Sequence, residues 1–508
     1  MSRERILFLG DVASAVAAAV LVGAAAVLFA GVPSALALAP LVLGTAMLAA
    51  FWRVRAAMVA GIFFVALSAS MVWSIEKTDL SWTEEFAGEA FEGRAVISGS
   101  ATQEKYAQRV PFRFEVCEAP ESCRREKAFL RTEKWEKYRV GEVLRVSCVW
   151  EVPERDEETG TDWMRIFAAR GPVLFCRDDT PERTGEHEAS WRSALAGART
   201  GMEDRLAQIF PYPESALGAG LLFGGTEGMS EEWEEKFSQT SMTHIVAVSG
   251  YNISLLVSYL GVFAAAVGVR RQHAWILSIV GITAFVALIG FPASGVRAGV
   301  MGVLAYLAVS GGMTGAGLRA LVFASAIMVI FNPFLIRHDV GFQLSVLATL
   351  GIILGSPLAI RFGMHKLPIL MKIPAEIAVI TFFAQLFVIP VILITFESFS
   401  FLSFLANLLV LWTIPLAMLS TFAALVASVF GVLAGSIVSV PAAGILAYDL
   451  AVIDWLSRFE AATITFSGWG MGVFAVYYTV VLGGFGWYFL RERSRTRRRC
   501  EAYTAQEA

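Results

Sequence analysis

Long apolar runs dominate this sequence and restrict its fold more than any other feature. A helix that crosses the roughly 30 Å hydrocarbon layer of a bilayer needs about 20 predominantly apolar residues. Such runs occupy residues 12–30, 34–52, 57–75, 245–268, 274–291, 296–311, 318–336, 341–360, 375–396, 402–425, 430–447 and 470–490. Because 56% of the residues are apolar and 17% charged, a soluble fold is excluded. We predict a polytopic α-helical membrane protein with about twelve transmembrane helices.

The segment at residues 76–190, between the third and fourth runs, is polar. Runs rich in β-branched and aromatic residues alternate there with turn and charge clusters, as in GRAVIS, VPFRFEVC, EVLRVSCVW and GPVLFC. This alternation predicts short antiparallel strands, so we expect a small inserted all-β sheet or barrel. Residues 191–243 are predicted to connect this domain to the membrane through helices, including the acidic amphipathic segment SEEWEEKF at 230–237.

Lys and Arg residues near the ends of the apolar runs predict the orientation of the spans. Most of them fall on one side when the runs are counted as spans, namely Arg3, Arg5, Arg53, Arg55, Arg270, Arg271, Arg361, Lys366, Lys372 and the Arg-rich tail at 491–508. Arg297 and Arg337 fall on the other side. On balance we predict cytoplasmic termini, N-terminal spans within residues 1–75, a polar domain on the outer face and a second transmembrane domain at 244–490.

The cysteines give a second indication of the same orientation. Cys117, Cys123, Cys148 and Cys176 lie in the polar domain, and Cys500 lies in the tail. An exported domain oxidises its cysteines, whereas a cytoplasmic tail keeps its thiol reduced. Of the three pairings that four cysteines allow, we favour Cys117 with Cys123 and Cys148 with Cys176. Four unpaired core cysteines are the alternative.

Isolated polar residues occur within the apolar runs, where polar groups are costly and usually face a bundle interior or a wet path. The candidates for such a path are His244, Ser249, Asn252, Ser254, Ser294, Arg297, Gln343, Ser345, Gln385 and Asn407. The alternative is that Ser and Asn only bond neighbouring helices or their own backbone. For Arg297, contact with an anionic ligand such as a phosphate and a structural salt bridge remain equally open.

Composition and motifs argue against enzymatic chemistry. The formal net charge of −3 leaves only local patches for binding a polyanion. The sequence contains no G-x-S-x-G, HExxH, CxxC or Walker A motif, so no catalytic residue, cofactor or metal site is predicted. One locally basic stretch in the polar domain is interleaved with rings, which suits single-stranded nucleic acid, and its candidates are Lys105, Tyr106, Arg109, Arg113 and Trp135. Rings that belong to the domain core are the alternative.

Five motifs occur in a characteristic order. They are GAGLLFGG at 218–225, THIVAVSGYNISLL at 243–256, FPASGVRAGVM at 291–301, NPFLIRHDVGFQLSVLATLGI at 332–352 and FAQLFVIPVILITFESFSFLSFLANLLV at 383–410. In order and approximate spacing the chain resembles the ComEC-type competence proteins. The polar domain, with VGEVLRVSCVWEVPE followed by TDWMRIFAARGP, is similar to the OB-fold-like extracytoplasmic domain of that family.

The resemblance implies a multi-pass channel in the bacterial inner membrane that passes single-stranded DNA into the cytoplasm during natural transformation. The positions that match family motifs are His244, Ser249, Gly250, Asn252, Ser294, Arg297, Asp339, Phe342, Gln343, Ser345, Gln385 and Asn407. Two departures are notable. Many members have a second His where this chain has Asn252, and many continue into a metallo-β-lactamase-like domain whose zinc motif this sequence does not contain.

The partners implied are single-stranded DNA, the lipid bilayer, a DNA receptor on the outer face, a separate nuclease, a cytosolic ATP-driven helicase-like protein and a second copy of the chain. A transporter or flippase for an anionic or lipid-linked substrate is the alternative function, because broken helices and Arg297 suit it equally. A membrane-embedded hydrolase is disfavoured because His244 and Ser249 have no acid to orient them.

Overall fold

The computed structural model describes most of the 508-residue chain. The described residues are 3–30, 32–51, 54–81, 83, 87–103, 107–117, 128–133, 138–153, 161–171, 173–178, 180–226, 228–246, 250–310, 316–361, 368–459, 463–465, 473–474, 476–488 and 491. Within these ranges helices predominate, and a small β-barrel is inserted after the first four of them.

Four helices begin the chain, and they are α1 (Arg3–Ala30), α2 (Ser34–Ala37), α3 (Ala39–Phe51) and α4 (Arg55–Lys77). Helix α4 packs along both α1 and α3. Glycines let α3 and α4 approach closely, since a Cβ at Gly44 would lie 2.7 Å from the carbonyl oxygen of Gly61. Buried Ser68 and Ser70 donate to the carbonyl oxygens of Ala37 and Val20, so these hydroxyls help to join the helices.

The polar segment forms a small barrel. Its strands are β1 (Ala90–Ile97), β2 (Thr102–Gln103), β3 (Ala107–Cys117), β4 (Ala128–Glu133), β5 (Glu142–Glu151), β6 (Phe175–Arg177) and β7 (Glu182–His187), and helix α5 (Trp163–Arg170) precedes β6. Strand β1 pairs with both β3 and β5, which closes the circuit β1–β3–β4–β6–β5. Among the described strands, only β4 and β6 run parallel to each other. The small β domain predicted from the alternating pattern is therefore present.

The barrel interior is apolar and carries one disulfide. Residues of β5 alternate between buried and exposed, as expected for strands that face a core on one side. Cys148 of β5 and Cys176 of β6 are joined by a disulfide with a Cα–Cα distance of 5.5 Å, as in one of the two favoured pairs. The other predicted pair, Cys117 with Cys123, lies outside the described side chains.

The described residues after the barrel are helical apart from two short strands. Its elements are α6 (Trp191–Ile209), α7 (Glu214–Phe223), α8 (Glu231–Gln239), α9 (Thr243–Val246), α10 (Gly250–Ala266), α11 (Arg271–Leu288), α12 (Ala293–Ser310), α13 (Ala316–Phe331), α14 (Leu335–His338), α15 (Val340–Arg361), α16 (Ile369–Phe396), β8 (Ser398–Ser400), α17 (Leu402–Val410), α18 (Ile414–Ser428), α19 (Val432–Ser457) and β9 (Thr463–Thr465). The largest buried cluster lies among α6, α7, α17, α18 and α19.

The number of spans differs from the twelve predicted. Among the described residues, five helices are long and apolar enough to cross a membrane, or six if α17 and α18, which meet at a 50° bend, form one span. Six further apolar helices are shorter, including α10 and segments of α11, α12 and α13. The reason is local, because breaks divide some of the long apolar runs. The run at 34–52 is divided into α2 and α3, and the run at 402–425 is divided into α17 and α18.

The barrel docks on the helices through α5. Ala168, Ala169 and Val173 pack with Leu28 at the end of α1 and with Phe334 before α14. In addition, the Nδ2 group of Asn332 donates to the carbonyl oxygens of Ala168 and Ala169 at 2.9 and 3.2 Å. The C-terminal end of α1 and the α13–α14 corner therefore lie on the barrel side of the molecule.

Candidate functional site

A buried ion pair joins α12 to the start of α15. The Nη1 atom of Arg297 lies 2.9 Å from Oδ2 of Asp339, and both side chains are about one-tenth exposed or less. Asp339 also accepts a hydrogen bond from the backbone N–H of Phe342 at 2.9 Å, which is the bond of an N-cap residue. Of the two interpretations left open for Arg297, the structure shows the salt bridge.

The ion pair is tightly enclosed. A Cβ at Gly341 would lie 2.8 Å from Nη2 of Arg297 and 3.1 Å from Oδ1 of Asp339, so only glycine fits there without a shift. Among the described residues, the Nε atom of Arg297 has no hydrogen-bond partner. Gln343 does not join the pair, since its Nε2 group donates to the carbonyl oxygens of Ile336 and Arg337 at the end of α14.

A second group of predicted residues forms a polar line across α16, α17 and α9. The Nε2 group of Gln385 donates to the hydroxyl of Ser403 at 3.0 Å, and Asn407 lies one helical turn further along α17 with its side chain buried. His244 lies near Asn407, whose buried Oδ1 atom has no hydrogen-bond partner among the described residues. The Nδ1 atom of His244 lies 2.9 Å from the carbonyl oxygen of Ser241. The structure thus brings together three residues that the sequence predicted separately, and adds Ser403.

The other predicted path residues have mainly local roles. Asn252 is buried, and its Nδ2 group donates to the carbonyl oxygen of Leu221 on α7 at 3.4 Å. Ser254 donates to the carbonyl oxygen of Gly250 in its own helix, as the alternative interpretation expected. Ser294 and Ser345 are half-buried. Ser249 lies outside the described residues.

Sequence reasoning missed a buried carboxyl group, that of Asp449 on α19. Asp449 is 1% exposed, and its Oδ1 atom lies 2.6 Å from the hydroxyl of Thr413 at the break between α17 and α18. The eleventh apolar run was predicted to end at residue 447, which placed this aspartate outside the predicted span although within the transmembrane domain at 244–490. The signal that could have found it is the continuation of the apolar pattern past it, in LAVI at 450–453.

Arg199 on α6 is a further residue that the sequence analysis did not single out. Its guanidinium donates to the carbonyl oxygens of Ile289 and Gly224, at 3.2 and 2.8 Å, and pairs with Glu203. These carbonyls follow the ends of α11 and α7, where backbone acceptors lack partners within the helix. Arg199 therefore fixes two helix ends to α6.

On the barrel, three arginines form a row across neighbouring strands. Arg109 of β3 is directly opposite Arg131 of β4, which is directly opposite Arg177 of β6. Directly paired residues point to the same face of a sheet, and Arg131 and Arg177 are exposed while Arg109 is half-buried. We call these three residues the arginine row. The sequence analysis had named only Arg109 among them.

A group of rings borders the arginine row. Phe129 and Phe175, each two residues before an arginine of the row, are 5.5 Å apart between ring centroids. Phe167 of α5 covers them, and the Arg109 guanidinium lies over the Phe167 ring at 4.9 Å. Trp163 is stacked on Phe167 at 6.2 Å and is 44% exposed. Positive charge and an exposed ring thus lie side by side.

The other predicted nucleic-acid residues of the barrel are placed differently. Arg113 forms an ion pair with Glu188, so its charge is partly compensated within the domain. Lys105, Tyr106 and Trp135 lie outside the described residues. In the part of the chain that the structure describes, no three His, Cys, Asp or Glu side chains come together as metal ligands do.

His338 lies at the junction of the barrel and the helices. Burial, together with the charges of Arg337 and Arg165, lowers the pKa of His338 to about 4, although Asp162 opposes this shift. Its ring contacts Phe334 edge to face with centroids 6.0 Å apart. A neutral imidazole therefore suits this contact at neutral pH.

The fold and these sites define a multi-pass helical membrane protein with a small inserted β-barrel. A family model described as Competence protein matches residues 221–491, which is more than half of the chain, and the chain belongs to this family. The resemblance to ComEC-type competence proteins is thereby confirmed.

One curated relative extends the comparison. The chain is 26% identical over 204 residues to the ComE operon protein 3 of Bacillus subtilis (strain 168). The match covers 40% of this chain but only 25% of that relative. No solved structure matches the chain.

Proposed function

We propose that this protein takes part in DNA uptake in the bacterial inner membrane, where it passes single-stranded DNA into the cytoplasm and receives the strand on its barrel. The observation that carries the proposal is the arginine row beside exposed Trp163. Single-stranded nucleic acid is bound through backbone charge and base stacking, and this surface offers both. Membership of the Competence protein family supports the same role.

The arginine row concentrates positive charge on one face of the barrel. Arg131 has an arginine opposite it on both neighbouring strands, and a phosphate backbone that crosses these strands would meet several positive charges at once. Elsewhere on the barrel, Arg113 and Arg145 are paired with Glu188 and Glu182.

The membrane domain offers polar groups of another kind. The line of Gln385, Ser403, Asn407 and His244 presents hydrogen-bonding groups without a fixed negative or strongly positive charge. A path for a polyanion needs such weak contacts, since strong anion sites would retain the strand. Because Arg297 is neutralised by Asp339, it fits a structural role.

Further partners belong to the proposal. We propose that a DNA receptor delivers the strand, a separate nuclease removes its complement, and an ATP-driven helicase-like protein pulls from the cytoplasm, with a homo-oligomer as the working form. The barrel disulfide between Cys148 and Cys176 suits a domain on the outer, oxidising side of the membrane.

The test replaces two arginines of the row. In a deletion strain, the variant Arg131→Gln with Arg177→Gln is expected to lose cytosolic entry of marked DNA while the protein level is unchanged. With the purified full chain, the dependence of log affinity for single-stranded DNA on log salt is expected to be about 1.4 shallower than for wild type, because each lost phosphate contact removes about 0.7.

The matched control removes two arginines of the same barrel that lie outside the arginine row, Arg113→Gln with Arg145→Gln, and changes the net charge equally. It is expected to retain entry and most of the salt dependence. Equal effects of the two pairs would show that only net charge matters. If deletion of the whole chain leaves DNA entry unchanged in a transformable host without a second copy, the proposed channel function is wrong. A transporter or flippase for an anionic or lipid-linked substrate then becomes the proposed function.

A further inference from the structure

The contact between Thr413 and Asp449 lies at a break in the membrane domain. Thr413 is the N-cap residue of α18, directly after the turn that separates α17 from α18. Its hydroxyl oxygen lies 2.5 Å from the carbonyl oxygen of Val410 and 2.6 Å from Oδ1 of Asp449. The hydroxyl of Thr413 thus lies between two acceptor groups, the carbonyl of Val410 in α17 and the carboxyl of Asp449 in α19.

The number of protons available to Thr413 and Asp449 decides whether the carboxyl group of Asp449 is protonated in this contact. A threonine hydroxyl has a single proton to donate, and two oxygens at hydrogen-bond distance without a proton between them repel each other. If the hydroxyl of Thr413 donates to Val410, the second contact needs a proton from the carboxyl of Asp449. A carboxylic acid that donates to Thr413, which in turn donates to Val410, satisfies both distances.

The surroundings of Asp449 also disfavour a carboxylate. Its neighbours along α19, Leu446, Leu450 and Ile453, are all at most 4% exposed. Among the described residues, Oδ2 of Asp449 has no hydrogen-bond partner. An isolated charge in such an apolar environment is costly, and a buried carboxyl group usually becomes neutral instead.

A second aspartate on the same helix shows the contrast. Asp454 pairs with Lys236 of α8 at 2.8 Å and with Arg458 at 2.5 Å. Of the elements packed against α19, helices α17 and α18 contain no ionisable residue. Helices α6, α7 and α8 do contain charged groups, among them Arg205, which donates to the carbonyl oxygen of Ser428, Glu214 at the first residue of α7, and Lys236.

We propose that Asp449 is a proton-binding site of the membrane domain, which carries its proton in this conformation and hydrogen-bonds through it to Thr413. Release breaks the O–H bond of the acid, leaves the electron pair on the carboxylate and transfers the proton to water. The hydroxyl of Thr413 then turns from Val410 to the carboxylate. Because Oδ2 would remain unsatisfied, release requires water or a cation to reach the α17–α18 break.

This inference does not rest on the proposed function, and its test uses no DNA. Infrared spectra of the purified full chain in lipid nanodiscs at neutral pH are compared between wild type and Asp449→Asn. The expected result is the loss of one protonated-carboxyl band, with no loss in the carboxylate region. Asparagine keeps the size of the side chain and a donor for Thr413.

Asp454→Asn is the matched control, and it is expected to lose a carboxylate band instead. Thr413→Val is a second variant that leaves the acid in place but removes its acceptor, so the protonated-carboxyl band is expected to move to higher frequency. Loss of a carboxylate band in Asp449→Asn, or an unshifted spectrum in Thr413→Val, would overturn the proposal. If the protonated-carboxyl band of Asp449 appears only after sodium or potassium is removed, the site binds a cation instead of a proton, and the proposal is overturned as well.

Discussion

At the residue scale, Arg297 is held by Asp339 inside the helical domain. The two residues are 42 positions apart in sequence, and their pairing depends on the packing of α12 beside the start of α15. Because both side chains are buried, the pair holds its geometry at the cost of removing two charges from water. Loss of one partner is therefore expected to lower the free energy of unfolding more than loss of both.

We expect Asp339→Asn to destabilise the protein by about 3–5 kcal/mol, because it leaves the Arg297 guanidinium buried without a counter-charge. Asparagine is itself a good N-cap residue, so the cap of α15 is retained. The lost stability then reflects the unpaired charge of Arg297. Thermal unfolding of the full chain in detergent measures the change.

The double variant Arg297→Met with Asp339→Asn is the control for this prediction. It removes both charges and is expected to recover most of the lost stability. If the single and double variants are equally destabilised, the loss comes from the cap or from packing, and the interpretation of the ion pair is wrong.

At the element scale, α5 is the contact through which the barrel meets the helices. It packs on the rings of Phe129 and Phe175 on one side and on Leu28 and Phe334 on the other. A movement of α5 would therefore change the relation between the arginine row and the membrane domain. His338 lies at this junction and gives it a dependence on pH.

The docking of α5 is expected to weaken in acid. The pKa of His338 is lowered from 6.5 to about 4 by burial and by Arg337 and Arg165, so protonation disfavours the docked state. Its contribution is complete above pH 6.5 and is lost as the pH falls towards 4. The protection factor of the α5 amides in the full chain, which is the intrinsic hydrogen-exchange rate at each pH divided by the observed rate, is expected to fall as the pH is lowered across this range.

His338→Gln separates this effect from the titration of carboxylates elsewhere. The variant has no proton to gain, so the protection factor of its α5 amides is expected to change less between pH 6.5 and 4 than in wild type. Identical pH profiles for the two proteins would exclude His338 as the cause.

At the scale of the whole molecule, the ends of several helices lie on the barrel side. Trp73 near the end of α4 donates to the carbonyl oxygen of Ile330 near the end of α13 at 2.9 Å. Arg337 hydrogen-bonds to the carbonyl oxygen of Leu28 at the end of α1. Three helices thus end beside the barrel, as expected if each crosses towards it.

Cysteine labelling tests the predicted orientation. In one chain, Cys117, Cys123 and Cys500 are replaced by Ser, and the exposed residue Glu182 on β7 is changed to Cys (Glu182→Cys). The matched chain keeps Cys500 and has only Cys117 and Cys123 replaced. A membrane-impermeant maleimide added to intact cells is expected to label the first chain and to spare the second until the membrane is permeabilised. The reverse pattern would place the barrel in the cytoplasm.

Local patterns in the sequence determined the class of the fold. Apolar runs and strand alternation depend on neighbouring residues alone, and both the membrane helices and the β domain are found where these patterns lie. The pattern predicted too many full-length spans because hydropathy does not register breaks inside an apolar run, such as those that divide 34–52 into α2 and α3 and 402–425 into α17 and α18.

Only the tertiary structure decided which side chains meet. The arginine row depends on the strand order β3–β4–β6, which joins residues from distant parts of the barrel sequence. The partners of Arg297 and Asp449 likewise come from other helices. Sequence by itself determined that this chain enters a membrane and carries a β domain, because burial in lipid and strand pleating follow local periodicity. The candidate sites could be located only in the tertiary structure, because packing decides which distant segments come into contact.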